Sequence, residues 1–194
     1  MEETIEQRAE LMGKWCSMLF WIVIAAEIAA LLGDTMLGNS LAVIFGAAYG
    51  AALLQLTPLS PAYRTAGICA LAAAMVVLVV GAIPISDEGS ILYFLVAIPG
   101  SVVSLVGDYH EFHAHAEMLK GVEDGFAGKW ENLWKWNMRT ILLTMGSGLL
   151  VVISPAAFAA VGFAAMIGMV VVHIAKIVYL YRMSKLFRNY ELPL

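Results

Sequence analysis

Apolar segments recur along this chain at lengths of roughly 17–25 residues, the length at which a helix crosses the hydrocarbon core of a bilayer. They occupy about residues 15–33, 40–57, 65–83, 90–107, 138–153 and 156–180. Such segments can satisfy their backbone groups in lipid only as helices or closed barrels. These runs are too long and too uniformly apolar for barrel strands. The sequence therefore predicts an all-α, polytopic membrane protein of six transmembrane helices in a single bundle. Composition agrees, with 61% hydrophobic and 13% charged residues. A typical soluble domain is about half apolar and about a quarter charged.

Short breaks separate the runs. Gly33-Asp34 and Gly38-Asn39 mark a tight turn, Pro58 and Pro61 a second, and Pro84 with residues 86–89 a third. Ser154-Pro155 divides the last long run, because proline excludes its predecessor from the α region. Residues 1–14 carry Glu2, Glu3, Glu6 and Glu10 against Arg8, the reverse of a secretory leader. With Ile5, Ala9 and Met12 at helical spacing, they predict a short surface helix. Residues 181–194 form a basic tail.

The basic residues fix an orientation. Connections 34–39, 84–89 and 154–155 contain no Lys or Arg. Arg8, Lys14, Arg64, Lys120, Lys129, Lys135, Arg139, Lys176, Arg182, Lys185 and Arg188 all fall on the other side of a six-span path. Lys and Arg concentrate in cytoplasmic loops. Both termini and the connection 108–137 are thus expected in the cytoplasm. A net charge of −4 offers no basic field for nucleic acid. The expected partner is the bilayer, with a second copy or another membrane protein left open. Cys16 and Cys69 sit just inside apolar runs and read as small buried hydrophobes.

Small residues mark helix contacts, since spans in lipid associate by close packing. Candidate faces are Gly46-Ala-Ala-Tyr-Gly50, then Ala66, Ala70 and Ala74, then Ala160, Ala164 and Gly168.

Polar residues inside the runs are the functional candidates. Glu27 lies ~9 Å from the outer end of the first span, counted by helical rise. It is the candidate ion- or proton-coupling residue. Pro99-Gly100 predicts a kink or break in the fourth span at similar depth, with Tyr49 and Ser147 near that level. His173 reads as a hydrogen-bonded core histidine, or else a group on the same path.

Connection 108–137 holds three of the four histidines. If the fourth span stays helical past Gly107, His110, His113 and Glu117 share one face, and Asp108, Glu111 and His115 the opposite one. Imidazole with carboxylate suits zinc, iron or manganese. His110, His113 and Glu117 are the candidate metal ligands, although the spacing matches no zinc-protease pattern and no phosphate-cradling glycine loop is present. No cofactor is otherwise expected. Asp108, Glu111 and His115 would line a polar cytoplasmic mouth. After the turn signal Asp124-Gly125, one face gathers Phe126, Trp130, Leu133, Trp134 and Asn137. This predicts an amphipathic interfacial helix before the fifth span.

These features lead first to a small transport or permeation protein. The alternatives are a metal-dependent membrane enzyme and a non-catalytic membrane-organising subunit. The orientation is directly measurable. A single reporter cysteine at Asn39 should react with an impermeant maleimide from outside the cell, and one at Lys120 only after permeabilisation.

Overall fold

The computed structural model describes residues 5–33, 35–83, 87–150 and 154–189. Glu2, Glu3, Asp34, Pro84, residues 151–153 and the tail from Tyr190 lie outside the described residues. Six helices follow in order: α1 (Ile5–Ala30), α2 (Met36–Gln55), α3 (Pro61–Ala82), α4 (Asp87–Leu119), α5 (Asp124–Leu150) and α6 (Pro155–Arg188). The described residues contain no strand. By length and composition α1, α2, α3 and α6 can cross a membrane. Along their apolar runs many exposed residues are large hydrophobics, including Ile68, Met75, Leu78 and Val79 on α3 and Phe163, Ile167, Val171 and Ile174 on α6. Helices with such exposed stretches suit lipid better than water.

Local chemistry explains the helix starts. The Thr35 side chain accepts the Gly38 N–H at 3.0 Å and caps α2. Ser60 caps α3 by accepting the Ala62 N–H at 3.3 Å, with Pro61 in the first turn, where its missing N–H costs nothing. Ser154 does the same for α6 through the Ala157 N–H at 3.3 Å, again followed by proline. The break predicted at Ser154-Pro155 is therefore present.

The chain divides into two compact units: residues 1–114 with 180–194, and residues 115–179. In the first, α2 packs against both α1 and α3. Gly50 makes the α2–α3 approach close, since a Cβ there would lie 2.9 Å from the Gly67 carbonyl oxygen. Gly46 faces Ala74 in the same way, at 3.2 Å. The predicted small-residue faces of α2 and α3 thus meet each other. Two further glycines bring α4 onto α3: Gly100 against Val76 and Gly107 against Cys69. Seven residues separate these contacts on each helix, which fixes an antiparallel register. By that register Glu111 comes level with Thr65, and Ala114 with Ala62.

The amino-terminal region differs from the expected separate surface helix. It is the first part of α1, and Ala9, Met12, Cys16 and Leu19 form one buried stripe along it. Met12 receives the Tyr63 hydroxyl on its sulfur at 3.9 Å, and Arg8 donates to the Leu59 carbonyl at 3.2 Å. Ser184, near the end of α6, donates to the Gly13 carbonyl at 3.1 Å. The early part of α1 and the last turns of α6 therefore touch within this unit.

In the second unit the last turn of α4, α5 and the larger part of α6 enclose an aromatic core. Phe126 and Trp130 are fully buried, and Tyr179 packs edge-on against both rings at 5.4 and 5.5 Å. The predicted aromatic face is thus the packed face. It belongs to α5 itself and not to a separate interfacial helix, because helix runs unbroken from Asp124 to Leu150. The turn falls upstream of Asp124-Gly125. Gly121 takes φ +80° and its N–H is accepted by the Asp124 carboxylate at 2.8 Å. Farther along, Gly168 admits Thr140, whose Cγ2 would lie 2.5 Å from an added Cβ. Of the stripe expected on α6, Gly168 makes such a contact. Ala160 and Ala164 are exposed, and Ala165 is the buried residue.

The glycine contacts yield a stability test. Gly50→Val forces backbone apart in a packed bundle and should destabilise it by about 1–3 kcal/mol. Gly146 has open space where its Cβ would be, so Gly146→Ala should cost nothing measurable. Detergent-induced unfolding of both variants checks the pair.

Candidate functional site

The strongest polar feature of the first unit joins α2 to α4. Gly50 seats α2 on α3, and Gly107 seats α4 on α3. The residue before the one and the residue a turn after the other then meet. The Tyr49 hydroxyl donates a hydrogen bond to Glu111 Oε1. Glu111 is only 2% exposed, Tyr49 is half-buried, and Asp108 is half-buried one turn before Glu111. Asp108 and the buried Cys16 of α1 are near enough to Tyr49 to act on it electrostatically. The direct contact at this point is the Tyr49–Glu111 pair, with Asp108 one turn away on the same helix.

This geometry is expensive to assemble. Moving a carboxylate out of water costs several kcal/mol unless a proton, a cation or hydrogen bonds offset it. Tyr49 supplies one such bond. Carboxyl groups three residues apart on a helix also influence each other's protonation. A carboxyl group held in this way can take up and release a proton.

The structure sorts the other candidates clearly. α4 continues helically past Gly107 to Leu119, so the two predicted faces exist. The face bearing Asp108, Glu111 and His115 is the inner one, with Glu111 and His115 buried. His113 and Glu117 are exposed on the other side, and His110 is half-buried. Among the described residues no three His, Cys, Asp or Glu side chains gather closely enough to hold a metal ion. His115 lies in the second unit, its ring 4.5 Å from that of Trp130. It belongs to the aromatic core.

Glu27 is exposed on α1, and the helix ends at Ala30, so the carboxyl lies only ~4.5 Å from that end. The sequence count is deeper because it carries the helix on to Gly33, and residues 31–33 are turn. α4 runs as one helix through Pro99, so of the expected kink or break the break is absent. A proline removes one backbone hydrogen bond, and the helix on either side is held by its own ladder. Pro99 is exposed while Gly100 is buried against Val76. Ser147 is buried, but its hydroxyl donates to the Thr144 carbonyl at 2.7 Å within α5. His173 is exposed on α6, not part of a core. Helical periodicity identified the face of Glu111; no sequence signal paired it with Tyr49.

Comparison with protein-family models, curated proteins and solved structures gives no match. The chemistry of the site therefore rests on the geometry above.

The pair can be tested by a double-mutant cycle. Tyr49→Phe leaves a buried acceptor short of a donor and should cost about 1–3 kcal/mol. The same change beside Glu111→Leu should cost less, with a coupling of about 0.5–3 kcal/mol between the two sites. Unfolding free energies of the four proteins measure it.

Proposed function

We propose that this chain is a six-span membrane protein that moves a small solute or ion across the bilayer, with Glu111 as its coupling carboxyl. The single observation that carries the reading is the buried Tyr49–Glu111 pair with Asp108 one turn away. Ionisable groups inside a membrane bundle are rare and costly, and they commonly mark ion or proton paths. Glu111 takes the role first assigned to Glu27, because it is buried between helices and Glu27 is not.

The six-span arrangement has its own support. α4 carries the apolar run 90–107 and α5 the part 138–150 of the next, beside the four helices long and apolar enough to cross. The Ser184–Gly13 hydrogen bond joins the early part of α1 to the last turns of α6, and an even number of crossings would bring these together. The one-sided distribution of Lys and Arg then favours a cytoplasmic location for those ends. Register with α3 sets Asp108 and Glu111 beside its first turns, which supports their packing against that helix, near its Arg64 end, and not in an open loop.

The direct test is flux. Protein reconstituted in liposomes that trap a pH-sensitive dye should dissipate an imposed proton or monovalent-cation gradient faster than empty liposomes. Glu111→Gln should slow this by on the order of tenfold or more, about 1.4 kcal/mol of barrier, and flatten its pH dependence. Glu27→Gln should leave it near wild type. Wild-type liposomes no leakier than empty ones, or undiminished flux in Glu111→Gln, would overturn the proposal.

A further inference from the structure

A second polar site lies between the first turns of α1 and the last turn of α6. An open groove of about 440 Å³ is lined by Glu6, Ala9, Glu10 and Lys14 of α1 and by Phe187 and Arg188 of α6. Its charges are ordered. Glu6, Glu10 and Lys14 recur every four residues, so they follow one stripe of the helix at ~6 Å per step. Arg188 stands level with Lys14, since a Cβ on the neighbouring Gly13 would lie 3.0 Å from Arg188 Cγ. Two cations therefore share one level, and carboxylates follow one and two turns toward the helix start. Ala9 and Phe187 give the groove an apolar wall.

The membrane level can be read from the same helices. Lys14 Nζ is 5.7 Å from the Trp15 ring centroid, and Lys185 Nζ is 4.9 Å from that of Tyr181. Aromatic rings beside lysines mark the headgroup zone. The apolar part of α1 begins at Trp15. From the bilayer outward the groove thus presents cations first and carboxylates second.

We infer that this groove binds the headgroup of an ethanolamine phospholipid. Such a headgroup carries its phosphate nearer the hydrocarbon and a primary ammonium farther out, two carbons away. Lys14 and Arg188 match the phosphate; Glu10, with Glu6 beyond it, accepts hydrogen bonds from the ammonium. A choline headgroup matches the charges but has no N–H to donate. A glycerol headgroup meets the phosphate level but leaves the carboxylates facing an anionic lipid. The site is independent of the transport reading.

Native mass spectrometry of the full chain, released from phosphatidylcholine nanodiscs containing phosphatidylethanolamine or phosphatidylglycerol, tests the assignment. The wild type should retain phosphatidylethanolamine about tenfold better than either other lipid. Glu6→Gln with Glu10→Gln should erase that preference and increase retention of phosphatidylglycerol. Lys14→Gln with Arg188→Gln should weaken retention of all three. These residues are exposed, and circular dichroism verifies that each variant remains folded. Equal retention of the ethanolamine and choline lipids, best retention of phosphatidylglycerol by the wild type, or an ethanolamine preference that survives loss of both carboxylates would overturn the inference. Soluble phosphoethanolamine binding as tightly as the lipid would make the occupant a solute and would overturn it equally.

Discussion

Close backbone approach through glycine is the constraint on which the first unit depends. Within lipid, burying a leucine against another helix gains little, because the tails are as apolar as the side chain. Stability then comes from dispersion contacts, which need helices to come near over many atoms. Gly46, Gly50 and Gly67 give α2 and α3 that nearness, and Gly100 and Gly107 give it to α4 and α3. α3 becomes the common wall. The same contacts fix helix register and so decide which polar groups can reach one another.

The meeting of Tyr49 with Glu111 follows from that register. Neither residue stands out within its own helix. A slide of one turn in either helix would carry the carboxyl away from the phenol by ~5 Å. The bundle therefore tolerates a buried acid because the packing that buries it also delivers a donor. A group held in this way is stable enough to persist and polar enough to exchange a proton or cation. Asp108 adds a second carboxyl within reach of the same tyrosine's field.

Several readings were legible in the residues themselves. The helix starts at Thr35, Ser60 and Ser154 rest on capping chemistry a few residues long. The α5 face of Phe126, Trp130 and Leu133 follows from period alone. Periodicity also separated the two faces of α4, but could not say which would be inside. Metal-binding expectation settled on His110, His113 and Glu117, whereas the packed side carries Glu111 and His115. Depth counting failed for Glu27, because the helix stops at Ala30 and leaves that carboxyl near its end. Pro99 does not break α4, because a helix can lose one hydrogen bond and still continue.

The sequence by itself determined that the chain is helical and built for an apolar solvent, since run length, capping residues and one-sided basic charge are local or additive properties. Only the tertiary structure decided which acid is buried, which face of α4 is inner and that Gly13 meets Ser184. Those outcomes depend on helix register, which is set by packing between residues tens of positions apart. No local pattern in the chain carries that distance.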